Sequence, residues 1–379
     1  MRPEGRPKDL EIQGSLPRLR RGDPGGRGGT AGSAFLTGSP RRGRGGSDDV
    51  TGPLTPGSGR MGSKDPAGIS GHMSTYKAWR KAELHCHLDG AVRASTAEAL
   101  ATEQGLDLRR PLRLVAPDEC PSQAVYISYF DDAIAVLQTV AALERATLEL
   151  CLDSAAENID YLEVRWAPRL HLRNGLTVAE VIRAVLEGLA AAPLKAVAIV
   201  CAMRHHAVED NIALAKEAGR FAGKGVVGFD LAGDEVRYPA APQRPAFEAA
   251  RAAELRLTCH AGEAGDPANV EEALALGVER IAHGVIGARD PRIVERLRSE
   301  GTVLDLCPTA NWKCKAVAGL AQHPLPALMR AGVRCTISTD SRTVADTSLS
   351  HEFQLASEMG LSDEELKRCN ETAYEAKFG

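Results

Sequence analysis

Long apolar runs are missing from the sequence: none reaches the ~18 residues that a membrane-spanning helix needs. Residues 1–30 contain no apolar core of a secretory signal peptide. Paired cysteines are missing too, since the nine cysteines are an odd number and none forms a CxxC motif. These absences predict a soluble cytoplasmic protein in which the thiols act as small hydrophobic side chains.

Strong positive charge is absent from most of the chain. Residues 1–75 hold 12 Lys and Arg against 7 Asp and Glu, so the overall net charge of −4 leaves −9 for residues 76–379. A mildly acidic body disfavours a nucleic-acid surface and an anionic-membrane surface. We therefore expect a small-molecule ligand, no nucleic-acid partner and no membrane partner, for a chain that is a monomer or a weak homo-oligomer.

Glycine and proline are concentrated at the N-terminus, where they make up 26 of the first 72 residues. Such a segment cannot bury enough apolar surface to fold, so residues 1–75 are predicted to be a disordered tail. Its part around Met61–Met73 reads like vector-derived sequence. Two RGG elements leave RNA binding open for the tail, although a solvated basic leader is the simpler interpretation. Residues 76–379 are predicted to form one domain.

Short apolar runs alternate with longer amphipathic runs from Lys81 onward, which indicates strands alternating with helices in a parallel sheet. The predicted strands are Glu83–His87, Tyr161–Arg165, Ala196–Met203, Val226–Leu231, Arg256–His260, Arg280–His283, Val303–Leu306 and Arg334–Ser338. The predicted helices are Ala133–Ala156, Val178–Ala190, Glu209–Ala222, Val270–Leu276, Pro291–Ser299 and Pro324–Ala331. Eight strands over about 260 residues predict a (β/α)8 TIM barrel.

Polar clusters follow nearly every predicted strand at its C-terminal end. In chain order they are HCHLDG, EVRWAP, MRHH, DLAGDE, HAGE, AHG, LCPTAN and STDS. In a TIM barrel the C-terminal ends of all eight strands converge on one face, where active sites lie. The clusters therefore predict a functional site on that face.

Imidazole and carboxylate groups in these clusters match a metal site. His85 and His87 stand at i and i+2 on one predicted strand, so both side chains point to the same face. His260, His283 and Asp340 each end another strand. Two histidines alone are weak evidence, but four histidines and one aspartate at strand ends favour Zn²⁺ or a similar cation over packing.

The same clusters, in this order and spacing, resemble the motifs of the adenosine deaminase family of the amidohydrolase superfamily, over residues 81–375. The resemblance implies a TIM barrel that holds one zinc ion through His85, His87, His260 and Asp340. It also implies that Glu263 donates a proton to purine N1 and that His283 orients and polarises the attacking water.

Substrate contacts are implied by the same resemblance. Asp89 is expected to hold the ribose 5′-hydroxyl, Gly233 to contact purine N3 through its backbone, and His87 and Ser341 to complete the substrate-binding set. Ser341 departs from the family, which usually has a second Asp or an Asn there in contact with purine N7. Because serine is shorter, we expect base recognition to weaken by ~1–3 kcal/mol unless water compensates.

The residue chemistry supports the proton-transfer roles. Attack at C6 pushes electron density onto N1, so an acid must meet N1 as charge develops there. Glu263 stands three residues after His260 and donates this proton if a water-excluded pocket raises its pKa. Asp340 is able to accept the water proton and pass it to the departing ammonia. The alternatives are a solvated loop carboxylate for Glu263 and a packing histidine for His283.

Four other polar residues near strand ends are given structural or supporting roles. Glu163 and Arg165 are expected to pair with each other inside the barrel mouth. Asp230 is predicted to be structural, and Asp234 to lie just behind the site residues.

Three functional hypotheses follow from the sequence. The leading one is zinc-dependent hydrolysis of adenosine and 2′-deoxyadenosine to inosine and 2′-deoxyinosine with release of ammonia, which Asp89 favours. The second is deamination of a modified adenine nucleoside or of adenine, which Ser341 motivates. The third, a catalytically silent nucleoside-binding homologue, is disfavoured because every zinc and proton-transfer position is filled. Since the chain ends at Gly379, the last barrel helix is expected to be shortened.

Overall fold

A computed structural model of the chain describes residues 76–107 and 110–379. The tail predicted for residues 1–75 lies outside these residues. Within them, eight parallel strands follow one another around a single sheet in the order β1 to β8, with helices in the connections. This arrangement confirms the predicted (β/α)8 barrel. None of the helices in the described part is long and apolar enough to cross a membrane.

Each strand lies where the apolar runs predict it, and its ends differ from the prediction by no more than two residues. The strands are β1 Lys81–His87, β2 Ile159–Trp166, β3 Lys195–Met203, β4 Val226–Ala232, β5 Arg256–Ala261, β6 Arg280–His283, β7 Val303–Leu306 and β8 Arg334–Ile337. Most of their residues are buried, as expected for parallel strands that are covered by helices on one side and fill a barrel on the other.

The barrel closes through Asp340, just beyond the end of β8. Its backbone N–H donates to the carbonyl of His85 at 2.9 Å, and its carbonyl accepts from the N–H of His87 at 2.6 Å. Cys86 and Asp340 form the bridge between the two edges of the sheet. Closure therefore brings a carboxylate from one end of the domain beside two imidazoles from the other.

Helices fill the connections between strands. They are α1 Ala94–Glu103, α2 Gln123–Ile127, α3 Asp131–Val136, α4 Val140–Ala156, α5 Val178–Ala190, α6 Val208–Gly219, α7 Arg244–Ala252, α8 Ala268–Ala275, α9 Pro291–Glu300, α10 Pro308–Lys313, α11 Leu325–Arg330, α12 Arg342–Ala345, α13 Leu349–Glu358 and α14 Asp363–Ala376. Helix α5 matches its predicted bounds because Thr177 and Glu180 form a capping box at its start.

The prediction of one helix over Ala133–Ala156 is wrong. The structure ends α3 at Val136 and begins α4 at Val140. Thr139 adopts an extended backbone, and its side chain accepts the N–H of Ala142 as a helix cap. A hydroxyl that caps a new helix competes with continuation of the old one, so the chain turns between the two helices.

The N-terminal end of the barrel is closed by a polar network under the C-terminal residues. Glu163 pairs with Arg280, and the ring of Phe378 lies 3.8 Å from the Arg280 guanidinium carbon. The backbone N–H of Phe378 donates to Glu163 at 2.6 Å. The expected pairing of Glu163 with Arg165 is therefore wrong, because these side chains lie in different layers of the barrel and Arg165 pairs with Asp230 at 3.0 Å.

Candidate metal and active site

A cavity of about 270 Å³ opens at the C-terminal ends of the strands. Helices α2 and α3 and the turn between them cover one side of it with apolar side chains, including Ile127, Phe130 and Ile134. The opposite floor carries polar groups from the strand ends, namely His87, Asp89, His260, Glu263 and Asp340. An apolar cavity with a few convergent polar groups is the usual form of a small-molecule site.

Four predicted metal ligands meet at the floor of this cavity. The Nε2 atom of His87 lies 3.3 Å from Nε2 of His85 and 3.1 Å from Nε2 of His260. Oδ1 of Asp340 lies 3.0 Å from Nε2 of His85 and 3.5 Å from Nε2 of His87. One ligand atom from each of the four residues falls within 4.8 Å of all the others.

These spacings fit a single tetrahedral cation. Ligand atoms about 2.0–2.1 Å from zinc at the corners of a tetrahedron stand about 3.3 Å apart. The three imidazole nitrogens and the carboxylate oxygen approach that separation, and a His/carboxylate set suits zinc. Burial lowers the pKa of His87 to about 3 and takes the pKa of His85 well below its ordinary value, so both rings are neutral, as metal ligands must be.

A carboxylate behind the candidate ligands lies against one of the rings. Nδ1 of His260 lies 2.9 Å from Oδ2 of Asp230, whose carboxylate is held by Arg165. This contact turns Nε2 of His260 toward the other ligands, which is the usual way in which a carboxylate supports a metal-binding histidine. Asp230 therefore supports the site directly. Asp234 instead accepts the backbone N–H groups of Val236 and Arg237 in the loop after β4.

Backbone conformation at two strand ends also aims side chains at the cavity. His283 has φ of 74° and Asp340 has φ of 62°, in the left-handed region that residues other than glycine seldom adopt. Such a conformation costs ~1–3 kcal/mol, and residues held in it concentrate at functional sites. Both histidine and aspartate leave their strands here with the side chain turned toward the ligand cluster.

Glu263 is buried in the cavity wall, 6% exposed, so the alternative of a solvated loop carboxylate is wrong. Its Oε2 accepts from Nε2 of Gln123 at 2.6 Å, and its Oε1 lies 3.6 Å from Nε2 of His283. Burial, followed by the nearby charge of Asp340, raises the pKa of Glu263 to about 7. A carboxyl in this environment is available as a proton donor near neutral pH.

The loop that carries Glu263 is held by Glu235. The Glu235 carboxylate accepts the backbone N–H groups of Gly262 and Glu263 at 2.8 and 2.7 Å, and that of Ala264 as well. Nδ2 of Asn269 donates to it at 3.0 Å. One buried carboxylate thus holds three successive amides and fixes where the Glu263 side chain starts.

His283 has a defined tautomer. Oδ1 of Asn311 accepts the backbone N–H of Cys307 at 3.3 Å, so Nδ2 of Asn311 faces Nδ1 of His283 as a donor at 3.0 Å. Nδ1 is therefore the acceptor, and the ring proton sits on Nε2. Nε2 is buried without a hydrogen-bond partner among the described residues, and it lies 3.6 Å from Oε1 of Glu263, which lines the cavity.

Two predicted substrate contacts lie in the cavity wall. Asp89 is buried and its Oδ1 has no partner among the described residues. Burial raises the pKa of Asp89 to about 7. Gly233 lines the cavity with φ of 113°, a conformation that requires glycine and brings the backbone close to a ligand.

Ser341 lies behind the cavity wall. It is fully buried, and its hydroxyl bonds the hydroxyl of Tyr126 at 2.7 Å and Oδ2 of Asp340 at 3.1 Å. Tyr126 lines the cavity in front of it. The Ser341 hydroxyl is thus engaged by Tyr126 and Asp340, and Ser341 is not among the residues that line the cavity.

Sequence reasoning missed five residues of the site, namely Gln123, Tyr126, Phe130, Glu235 and Asn311. Glu235 and Asn311 stand inside the DLAGDE and LCPTAN clusters, so their position was a usable signal. Gln123, Tyr126 and Phe130 belong to no polar cluster, and only tertiary contacts bring them to the cavity.

Comparison with known proteins agrees with this geometry. The family model for adenosine deaminase matches residues 80–379. An adenosine deaminase of Enterococcus faecalis is 37% identical over 311 residues, which cover 79% of this chain and 91% of the relative. An adenosine deaminase of Clostridium perfringens is 36% identical over 310 residues, which cover 79% of this chain and 93% of the relative.

Solved structures share the fold. An Arabidopsis N6-mAMP deaminase superposes with a TM-score of 0.74 at 26% identity, covering 81% of this chain and 95% of the other. An adenine deaminase from Arthrobacter aurescens gives 0.73 at 25% identity, covering 80% and 94%. A Burkholderia ambifaria amidohydrolase with bound zinc gives 0.75 at 25% identity, covering 84% and 90%. With its barrel, its ligand cluster and these similarities, the chain belongs to the adenosine deaminase family, a metal-dependent group of enzymes that act on C–N bonds.

Proposed function

We propose that this enzyme hydrolyses adenosine and 2′-deoxyadenosine to inosine and 2′-deoxyinosine with release of ammonia. The observation that carries the proposal is the convergence, at one cavity, of a four-residue candidate ligand cluster, a carboxyl with its pKa near 7 and a histidine whose Nε2–H has no partner among the described residues. Family membership and the adenosine deaminase relatives support the same activity.

One zinc ion per chain is the cofactor of this proposal, held by His85, His87, His260 and Asp340. The separations of the donor atoms support it, as do the lowered pKa values of the His85 and His87 imidazoles. Bound there, zinc would activate water as a nucleophile at neutral pH. The zinc-containing amidohydrolase of the same fold is in agreement.

The residues around the cluster supply the proton transfers. Glu263 donates to purine N1 as electron density builds on the ring during attack at C6. His283 directs its Nε2–H at the oxygen that adds to C6 and stabilises the developing charge. Asp340, with one oxygen among the ligands and the other near the hydroxyls of Tyr126 and Ser341, takes the proton of the attacking water and passes it to the leaving ammonia.

The remaining polar groups bind the nucleoside. The unpartnered Oδ1 of Asp89 accepts the ribose 5′-hydroxyl, and the backbone of Gly233 contacts N3 of the base. A buried acceptor without a partner costs free energy until a ligand hydroxyl satisfies it, so Asp89 favours nucleosides over the free base.

A second candidate is deamination of a modified adenine nucleoside, a nucleotide or adenine. It is favoured by Tyr126 standing before Ser341 at the cavity wall, and by the fold neighbours named as N6-mAMP and adenine deaminases. A substrate panel of adenosine, 2′-deoxyadenosine, N6-methyladenosine, AMP and adenine separates the two candidates by relative kcat/KM.

The decisive experiment follows the loss of adenosine absorbance with the wild-type protein and with Glu263→Gln. We expect rapid turnover by the wild type and a fall of at least ~10³-fold in kcat for the variant, because glutamine cannot protonate N1. Metal analysis is expected to find about one zinc per chain. A wild type that binds nucleosides without turnover, even after zinc reconstitution, would instead favour a catalytically silent homologue.

We also propose a cytoplasmic location and a monomeric or weakly associated state. All nine cysteines are free and buried, as is usual where thiols stay reduced.

A further inference from the structure

Gln123 donates a hydrogen bond to Glu263, and none of the proton transfers proposed above involves it. Gln123 is the first residue of α2, whose cap Ser122 accepts the N–H of Val125. The Gln123 side chain is 6% exposed and its Nε2 lies 2.6 Å from Oε2 of Glu263. The bond joins the connection between β1 and β2 to the end of β5, 140 residues away in sequence.

A neutral carboxyl has one oxygen that carries the proton and one that only accepts hydrogen bonds. Because the amide of Gln123 donates to Oε2, the accepting oxygen of Glu263 is Oε2. Since the carbonyl oxygen of a carboxyl is the better acceptor, we assign the proton of the neutral form to Oε1. That is the oxygen 3.6 Å from Nε2 of His283.

The tautomer of His283 shows which of its ring nitrogens faces Glu263 as a donor. Asn311 places the ring proton of His283 on Nε2, so Oε1 of Glu263 and Nε2 of His283 are two donors 3.6 Å apart. Two donors do not satisfy each other, so each needs an acceptor of its own. Neighbouring atoms of one ligand, a ring nitrogen and the oxygen on the adjacent carbon, would accept the two protons together.

We propose that Gln123 is a positioning residue, which holds Oε2 of Glu263 through its amide N–H and thereby aims the proton on Oε1 at N1 of the purine. This inference rests on the proposed function. The same hydrogen bond lowers the pKa of Glu263 and so opposes the effect of burial. Gln123 therefore orients the proton and also makes Glu263 a slightly stronger acid.

The position of Gln123 decides which substitutions test this role. Gln123 and Glu263 both line a second cavity of about 340 Å³, so their side chains form part of the wall between the two cavities. A small residue would join the cavities and change solvent access. Gln123→Met and Gln123→Leu keep most of the volume and remove the donor. Val125→Ala, at an exposed position of the same helix, is the matched control.

The test compares catalysis with the binding of an analogue in which ring N1 is replaced by C–H. For both Gln123 variants we expect kcat for adenosine to fall ~10- to 100-fold with KM within about threefold, because the proton is no longer aimed. Affinity for the N1-less analogue and the unfolding temperature should stay at the wild-type values, since that analogue cannot accept the Glu263 proton. Val125→Ala should match the wild type throughout.

Three results would overturn the inference. If the amide were turned the other way it would accept the Glu263 proton, and both variants would then keep or raise kcat. A parallel loss of kcat, analogue affinity and unfolding temperature would show a role in packing only. A wild-type protein that is inactive on every purine nucleoside would refute the proposed function itself. This outcome differs from a failure of the Gln123 inference, because it is seen without any variant.

Discussion

The two ends of the barrel both bury ionisable groups, but they arrange these groups differently. At the N-terminal end, Glu163 and Arg280 pair with each other, and Phe378 covers the guanidinium. Glu163 also accepts from the hydroxyl of Tyr161 and from the Phe378 N–H, so its oxygens are satisfied. At the C-terminal end, Nε2 of His87 lies 3.3 Å from that of His85 and 3.1 Å from that of His260, while Nε2 of His283 and Oδ1 of Asp89 have no hydrogen-bond partner among the described residues.

The difference teaches where to look for function in a barrel of this kind. A buried charge with a full set of partners contributes to a unique fold, and its loss leaves the partner unpaired at a high cost. A buried polar group without partners costs free energy in the absence of a ligand and is tolerated where a ligand will satisfy it. The left-handed backbone at His283 and Asp340 adds strain at the same end.

The comparison is tested most severely by His260→Ala at the C-terminal end. Removing one of four ligands should lower kcat/KM for adenosine by at least ~10³-fold, since several kcal/mol of transition-state stabilisation depend on the metal. Zinc content should fall in parallel, while the fold survives. Circular dichroism and metal analysis check both points. A variant that keeps full activity without zinc would break the assignment of the C-terminal end to metal chemistry.

Arg280→Met tests the N-terminal end. We expect it to destabilise the protein by ~3–5 kcal/mol, because Glu163 is left buried and without its cation. In the fraction that remains folded, kcat should stay within about twofold of the wild type, since no residue of the cavity is changed. Denaturant unfolding and initial rates measure the two effects separately. Adding Glu163→Gln should restore part of the stability. A large loss of kcat in the folded Arg280→Met variant would contradict the separation of the two ends into a structural and a functional one.

The pH dependence gives the smallest and most specific contrast. Burial raises the pKa of Glu263 to about 7, with Asp340 and Glu235 adding to the rise and His260 and Gln123 opposing it. Because the protonated form is the donor, log kcat/KM should fall by about one per pH unit above that value.

The same decrease of kcat/KM above neutral pH is expected in Arg280→Met, because the network at the N-terminal end should not change the pKa of Glu263. The Glu263→Gln variant should lose this decrease in its residual activity. A profile that stays flat well above neutral pH in the wild type would show that Glu263 is not the acid.

Much of this protein could be predicted from one sequence, and the reason is local. Parallel strands buried on both sides appear as apolar runs, and each strand end carries its own polar cluster. The strands β1 to β8 and the strand-end positions of His85, His87 and His260 could therefore be predicted from the sequence. The break between α3 and α4 escaped because the Thr139 cap and the apolar periodicity give competing signals.

It was harder to predict which side chains contact each other than which residues lie near the strand ends. Glu163 and Arg165 stand two apart and point the same way, yet the barrel layers give each a different partner. Asp230 contacts His260, whereas Asp234 accepts backbone N–H groups of its own loop, although the two lie on either side of Gly233. Gln123 and Tyr126 carry no motif at all, and they reach the cavity because α2 folds over the strand ends.

The amino-acid order alone therefore determines the barrel and the residue types of its candidate metal cluster, because strand periodicity and strand ends are encoded over a few neighbouring residues. Closure of the sheet at Asp340, the turning of His260 by Asp230 and the covering of Glu263 by Gln123 were decided only in three dimensions. Each of those contacts joins residues far apart in sequence, and a long-range contact exists only after the whole barrel has packed.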